Sequence, residues 1–278
     1  CALLPALLWD PSTGESGLPT GGSFQVSDTV MASQFTALVD LGASVISNSW
    51  GPGGEDPSYE SDPVSVPSLS AVMTSAFEYA ETAGRGGLGT LILYASGNSN
   101  QNCDNDTYAG YINVVAVGAV DDQGLKAYYS NFGTTLDIVA PSNGGKNGIT
   151  TIATSDNAAA DPQYDYDFGG TSSACPFAAG VVGLILSANP ALTAAQVRQI
   201  LADSATEIDP VWGAWTDGFS SSYGHGLIDA YRAVQMANGT CADPATCFAP
   251  SDAAGAEGTA CDACRTDNDC ADGFDCQA

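Results

Sequence analysis

Short apolar runs alternate with amphipathic stretches along the first 237 residues. The runs are rich in Val, Ile and Leu at consecutive positions, which is typical of parallel strands buried on both faces. Strands are predicted at residues 2–9, 43–47, 91–96, 114–120 and 136–140. Helices are predicted at 28–41 and 68–83, and from a capping-box pattern at Thr193 and Gln196 to about residue 202. This alternation predicts an α/β fold with a largely parallel sheet.

The composition changes after residue 237. Residues 238–278 contain six of the nine cysteines and almost no aliphatic residues, so they cannot build an apolar core. We expect disulfides there, in one of 15 pairings. The pair Cys261 and Cys264 could instead form half of a metal or redox site, although no histidine is near. The chain is therefore predicted to comprise a domain at 1–237 and a Cys-rich tail at 238–278, in a secreted or extracellular setting that includes the cell surface.

The charge balance restricts the partners. Six basic against 32 acidic residues give a net charge of −26, so the chain cannot neutralise a phosphate backbone and nucleic acid is excluded as a partner. No stretch was expected to reach the ~18–20 apolar residues of a membrane span. The acidity is typical of solubility in a salty or extracellular medium.

Two segments carry residues suited to catalysis. Residues 169–176 precede a helix predicted at 177–188, which puts Ser172 near a helix N-terminus, where free N–H groups can stabilise an oxyanion. Asn98 follows the strand predicted at 91–96, at a sheet edge where ligand sites gather. Taken singly, Ser172 could be a simple N-cap and Asn98 a simple turn residue.

Together these segments resemble the subtilase family of serine peptidases, whose motifs read Gly-Thr-Ser-x-Ala-x-Pro and Gly-Asn. Three further segments agree, at 46–51, 117–120 and 223–230, and the details are most similar to the kexin and furin branch. The resemblance implies a subtilisin-like parallel sheet flanked by helices. It also implies a serine-type endopeptidase that hydrolyses peptide bonds through an acyl-enzyme.

The resemblance implies a role for seven residues. Ser172 would be the nucleophile, and Asn98 would bind the oxyanion together with the Ser172 N–H. The extended peptide or protein substrate would be bound by Ser49, Trp50, Gly51, Gly97 and Asp106. Asp106 matches a carboxylate that holds an arginine before the scissile bond, so cleavage after basic residues is expected.

Calcium is the one cofactor that the resemblance suggests. In the convertases it lies near this pocket, but Gln101 and Asn131 stand here where acidic ligands would be. Neutral amides bind a hard cation less well than carboxylates. We therefore assign no metal ligand and leave calcium open.

A serine nucleophile needs a base and an orienting carboxylate. The one histidine, His225, lies where the family has a structural turn, and motifs resembling Asp-Ser-Gly and His-Gly-Thr are absent. We expect a catalytic domain whose N-terminal strands are missing, with an unpaired sheet edge, no activity alone, and the missing segment as its partner. The alternative is a non-catalytic pseudopeptidase that binds extended peptides or mediates adhesion through its Cys-rich tail.

Overall fold

A computed structural model describes residues 26–51, 68–152 and 164–239. The helices are α1 (Asp28–Asp40), α2 (Ala71–Gly87), α3 (Thr171–Ala188), α4 (Ala194–Ser204) and α5 (Ala230–Ala237). The strands are β1 (Val45–Asn48), β2 (Leu91–Ala95), β3 (Val115–Val120), β4 (Leu136–Pro141), β5 (Ile149–Ile152) and β6 (Tyr164–Phe168). The strand predicted at 2–9 and nearly all of the tail lie outside the described residues.

Four of the strands form one parallel sheet in the order β1-β2-β3-β4. The α/β prediction is therefore confirmed. No described strand pairs with the outer side of β1, which makes Val45–Asn48 an edge of the described sheet. The antiparallel hairpin of β5 and β6 was not predicted, although Tyr164–Phe168 alternates aromatic and acidic residues with the period of a strand.

Helices cover both faces of the sheet, because successive strand residues point to opposite sides. Leu93, Val117 and Ile138 pack with Val182 and Ile185 of α3 in one buried cluster. That cluster also contains the buried faces of α4 and α5. Each such side chain contributes roughly 1.5–3 kcal/mol when it is fully buried.

The opposite face is covered by α1 and α2. Ile92 and Tyr94 of β2 pack there with Phe35 of α1 and with Met73 and Phe77 of α2. The rings of Phe35 and Phe77 lie 5.0 Å apart between centroids. In α2 the regular dihedral angles end at Gly84, close to the predicted end at residue 83.

Helix α3 begins at Thr171 and not at residue 177, so the predicted start was wrong. Proline at position 176 has no N–H to donate to the carbonyl four residues earlier, which would normally end or kink a helix. In the structure, that carbonyl belongs to Ser172 and accepts a hydrogen bond from Ser49 Oγ at 3.0 Å. A side chain from another segment thus replaces the missing donor and lets the helix continue through Pro176.

The expectation that no stretch reaches membrane-span length also needs correction. Within the described residues, Thr171–Ala188 is 18 residues long and apolar enough to cross a membrane by length and composition. Half of this helix is buried inside the fold, where it packs on the sheet. Burial in the core accounts for its apolar composition.

Two cysteines lie in the described part of the chain, and both are buried free thiols. Cys175 is fully buried, as expected for a small apolar residue, and its Sγ lies 3.5 Å from the carbonyl oxygen of Asn48. Burial raises the pKa of the Cys103 thiol to about 12. Neither thiol therefore has the thiolate character that reactive cysteines need.

The positive side chains have an unusual set of partners. Four of the basic residues direct their charge at main-chain carbonyl oxygens that lie in turns or at element ends. The pairs are Arg85 with Gly89, Pro190 and Leu192, Lys126 with Ala127 and Ser130, Arg198 with Ile112, and Arg232 with Ala205. These cations stabilise irregular backbone, in part at the surface of the fold.

Candidate active site

Ser172 is the second residue of α3 and lies half-buried at the carboxyl edge of the sheet. The helix starts there because Gly170, with φ 74°, turns the chain into it. The amide of Ser173 donates to Gly170 O at 3.0 Å, and that of Thr171 is used by Asn98. Among the described residues, the Ser172 amide meets no acceptor, so it is available to a ligand.

Asn98 is fixed in one orientation by Thr171. Its Oδ1 accepts from the Thr171 amide at 2.8 Å and from Thr171 Oγ1 at 2.9 Å. Thr171 Oγ1 in turn accepts from the amide of Gly97 at 3.2 Å. Because both donors engage the oxygen, the Nδ2 group of Asn98 is the end left for a ligand.

The structure thus brings Ser172 and Asn98 together through Thr171. A Cβ atom at Gly170 would lie 3.3 Å from Asn98 Nδ2, so this amide is next to the start of α3. An amide N–H and a helix-terminal N–H on the same side of a serine suit a developing oxyanion. Sequence reasoning missed Thr171, although it lies inside the motif that pointed to Ser172.

Gly97 meets two backbone demands just before Asn98. Its φ is +103°, a conformation that side-chain-bearing residues rarely adopt. An added Cβ would also lie 2.4 Å from Asn131 Nδ2. These constraints explain a glycine here, and its contact with substrate stays a prediction.

Ser49, Trp50 and Gly51 leave the end of β1 beside the start of α3. The hydrogen bond from Ser49 Oγ to Ser172 O ties this segment to the serine. The Trp50 ring packs edge-on against Tyr94 and Tyr108, at 5.2 Å between centroids in each case. The segment is therefore held firmly at both its start and its middle.

Asp106 faces the same segment. Its Oδ1 accepts the amides of Tyr108 and Ala109, each at 2.8 Å, which fixes the carboxyl group. A Cβ at Gly51 would lie 3.9 Å from Asp106 Oδ2, so the second oxygen points toward the edge segment. Burial raises the pKa of Asp106, and the two amides oppose that shift. A half-buried carboxylate with one open oxygen suits a guanidinium or ammonium group.

His225 lies near the N-terminal ends of the strands, at the end of the sheet opposite Ser172 and Asn98. Its amide donates at 2.8 Å to the carbonyl of Asp137, the second residue of β4, whereas Ser172 and Asn98 lie at the carboxyl ends. The imidazole packs edge-on against Phe219 and lines a cleft of about 240 Å³ with Asp137 and Arg198. This position separates the one histidine from Ser172.

The described residues near Asn98 do not fit a calcium ion. Asn131 Oδ1 already accepts the amides of Ser99 and Gln101, at 3.0 and 2.9 Å. An amide oxygen with two donors has no lone pair left for a cation. No group of three acidic, histidine or cysteine side chains in the described part of the chain is placed to hold a metal.

A parallel sheet with an oriented amide at one strand end, and a serine opening the next helix, is an arrangement that suits α/β enzymes with a serine nucleophile. Residues 16–226 match the family model described as the subtilase family, Peptidase_S8. The chain therefore belongs to the subtilases, a family of serine peptidases, which confirms the resemblance.

Relatives with known names support this assignment. A calcium-dependent protease of Trichormus variabilis is 40% identical over 235 residues, covering 78% of this chain and 35% of that protein. Protease KEX1 of Kluyveromyces lactis is 34% identical over 201 residues, covering 69% of this chain and 25% of that protein. The chain thus spans about a third or less of the length of these relatives. The similarity to a kexin-type protease confirms the kexin-like resemblance.

Solved structures show the same fold. A protease from Pseudoalteromonas arctica matches with a TM-score of 0.57 and 26% identity, covering 76% of this chain and 59% of that one. The Aeromonas sobria serine protease, solved with a chaperone, gives a TM-score of 0.65 at 19% identity, covering 77% and 46%. The subtilisin-like sheet flanked by helices is thereby confirmed.

Proposed function

We propose that this chain is the C-terminal part of the catalytic domain of a subtilisin-like endopeptidase, with Ser172 as its nucleophile. The observation that carries the proposal is the double hydrogen bond from Thr171 to Asn98 Oδ1, which leaves Nδ2 beside the start of α3. A module that only binds peptides has no need of an oxyanion hole.

In the proposed reaction, Ser172 Oγ attacks the peptide carbonyl and its proton passes to a base. The carbonyl oxygen becomes an oxyanion, which accepts hydrogen bonds from Asn98 Nδ2 and the Ser172 amide. When the intermediate collapses, the base protonates the leaving amine and the acyl-enzyme forms; water then releases the acid by the same route.

The motifs that carry the base and its orienting carboxylate in the family are absent from this sequence. His225 lies at the opposite end of the strands from Ser172, and the sequence of the chain contains no second histidine. We propose that an N-terminal segment of the same domain supplies both groups and pairs with the free side of β1. The described chain alone should then hydrolyse no peptide.

The proposed specificity is for basic residues before the scissile bond. Asp106 offers one fixed and one open carboxylate oxygen beside Gly51, at the edge where an extended peptide would add as a strand. We propose a secreted or extracellular setting, with the cell surface included, because six cysteines fall in the tail. Calcium stays open for the parts of the protein outside the described residues, since a relative is named a calcium-dependent protease.

The test begins with the reading frame upstream of Cys1. Segments resembling Asp-Ser-Gly and His-Gly-Thr are expected there in frame. The extended protein and the present chain would then be assayed with matched peptides that carry arginine or leucine before the scissile bond. We expect fluorophosphonate labelling and turnover of the extended protein, and loss of both with Ser172→Ala.

Two results would contradict the proposal. Turnover by the present chain alone that disappears with Ser172→Ala would show that no upstream segment is needed. Absence of labelling and turnover in the extended protein, together with binding of extended peptides, would support the pseudopeptidase alternative.

A further inference from the structure

The loop that carries Asn98 runs alongside a second segment. We call residues 97–101 the oxyanion loop, and residues 126–132 lie next to it. Main-chain hydrogen bonds join the two, from Asn131 N to Gly97 O at 3.0 Å, from Asn100 N to Tyr129 O at 2.8 Å and from Phe132 N to Gln101 O at 2.9 Å. The position of Asn98 therefore depends on residues that come 29 to 34 positions after their partners in the chain.

The side chain of Asn131 makes two further bonds to this loop and one to the residue just before it. Its Oδ1 accepts the amides of Ser99 and Gln101, and its Nδ2 donates to Ser96 O at 2.8 Å. The residue is 8% exposed, so these bonds are shielded from water. One buried amide thus holds the backbone on both sides of Asn98.

Lys126 adds a positive charge to the other end of the loop. Its Nζ donates to Asn100 Oδ1 at 2.8 Å and to Ser130 O at 2.7 Å, with Ala127 O at 3.5 Å. The ammonium also lies 5.7 Å from the centroid of the Phe132 ring, within range of a cation–π contact. Oxygen atoms from two segments therefore converge on one half-buried cation.

We propose that Asn131 and Lys126 are positioning residues that hold the oxyanion loop for Asn98, so that this loop keeps its structure without calcium. The resemblance to the convertases would instead place a calcium ion near Gln101 and Asn131. The catalytic consequence rests on the proposed function, whereas the structural part does not.

The donor and acceptor chemistry favours this arrangement over a metal ion. Calcium takes six to eight oxygen ligands, among which carboxylates supply the negative charge. Here Asn131 Oδ1 is filled by two N–H groups, and Lys126 Nζ occupies Asn100 Oδ1 and Ser130 O. A fixed ammonium at these oxygens also repels a divalent cation.

Amide hydrogen exchange measured by NMR on the full chain tests the structural part without any need for activity. We expect that exchange at Ser99 and Gln101 is the same with added calcium and with a chelator. Asn131→Leu, which removes both acceptor and donor, should speed exchange at these two amides by about tenfold or more. Asn131→Asp keeps an acceptor oxygen and should retain most of the protection.

Lys126 is tested separately, in case Asn131→Leu does not fold. Lys126→Met should speed exchange at Asn100, while Lys126→Arg should preserve it. Lys146→Met is the matched control, because it removes an exposed lysine and the same charge from the chain. Faster exchange after chelation in the unaltered chain would overturn the proposal, as would unchanged exchange in both Asn131→Leu and Lys126→Met.

The catalytic part uses the extended protein described above. There Asn131→Leu should lower kcat with KM nearly unchanged, since Asn98 acts on the transition state and not on the bound peptide. A rise in KM as large as the expected fall in kcat, with kcat itself unchanged, would contradict a positioning role. If the extended protein itself is inactive, the proposed function fails, and the exchange experiment still decides whether the two residues hold the loop.

Discussion

The hydroxyl of Ser49 donates to the main-chain carbonyl of Ser172 at 3.0 Å. This carbonyl would normally accept from the amide of residue 176, which is proline here. One hydrogen bond therefore meets two needs: it satisfies a carbonyl inside α3, and it fixes the segment after β1 against the proposed nucleophile.

A double-mutant cycle on Ser49 and Pro176 measures this bond. Ser49→Ala should destabilise the chain by about 1 kcal/mol, because it leaves the Ser172 carbonyl without a donor. In a Pro176→Ala background the new amide can make the helical bond, so the same change should cost clearly less. Denaturant unfolding gives the four free energies. Equal costs in both backgrounds would contradict the account.

Thr171 is predicted to control catalysis through Asn98. Thr171→Val keeps the shape but removes the hydroxyl that donates to Asn98 Oδ1, so kcat of the extended protein should fall about tenfold with KM little changed. Thr171→Ser keeps the hydroxyl and serves as the matched control. A fall in both variants would point to packing and not to orientation.

Asn98→Ala should have a larger effect than Thr171→Val. Removing an oxyanion donor costs roughly 10²–10³ in kcat, a range taken from subtilisin, another member of this family. Steady-state kinetics of the extended protein measures it, and Asn98→Asp, which keeps the size but loses the donor, should be comparably impaired. A loss below tenfold would remove Asn98 from the oxyanion site.

Asp106→Asn tests the proposed specificity. Asparagine can still accept the amides of Tyr108 and Ala109, so the local fold should persist while the negative charge is lost. We expect kcat/KM for an arginine peptide to fall by about 10²-fold relative to a leucine peptide. Parallel losses for both peptides would show that Asp106 supports the structure and does not select the substrate.

Asp137 predicts a pH dependence of stability. Burial raises its pKa from 3.8 to about 6, opposed by the Ala116 amide and by the charges of Arg198 and His225. The folded state therefore holds this proton more tightly than the unfolded state, and stability should fall as pH rises from about 4 to 6. The loss of folding stability over this pH range is at most about 3 kcal/mol. It is smaller than that because Asp137 is not fully shielded from solvent.

Asp137→Asn isolates that contribution from the other carboxylates of the chain. The variant keeps an acceptor for the Ala116 amide, at 2.7 Å in the parent chain, but does not titrate. The difference in unfolding free energy between variant and parent, measured from pH 4 to 7, should move in favour of the variant as pH rises. A difference that stays constant over this range would rule out the raised pKa.

The sequence predicts those elements and positions that depend on residues close together along the chain. The four strands of the parallel sheet follow from apolar runs and lie close to the predicted ranges, and Asn98 follows β2 as predicted. The strand predicted at 2–9 lies outside the described residues, and the hairpin of β5 and β6 was not predicted. The start of α3 was misjudged because its decisive bond comes from Ser49, 123 positions away. Likewise, the bonds of Asn131 and Lys126 to the oxyanion loop depend on a long-range contact that no local pattern reports.

Four cationic side chains hydrogen-bond to main-chain carbonyls, and six basic residues in all stand against 32 acidic ones, so most carboxylates have no cationic partner. With a net charge of −26, the chain attracts dissolved cations as counter-ions. The dissolved ions therefore contribute to the stability of the folded state. At high salt the repulsion among the surface carboxylates is screened, whereas at very low ionic strength it acts over a longer range and opposes the compact state.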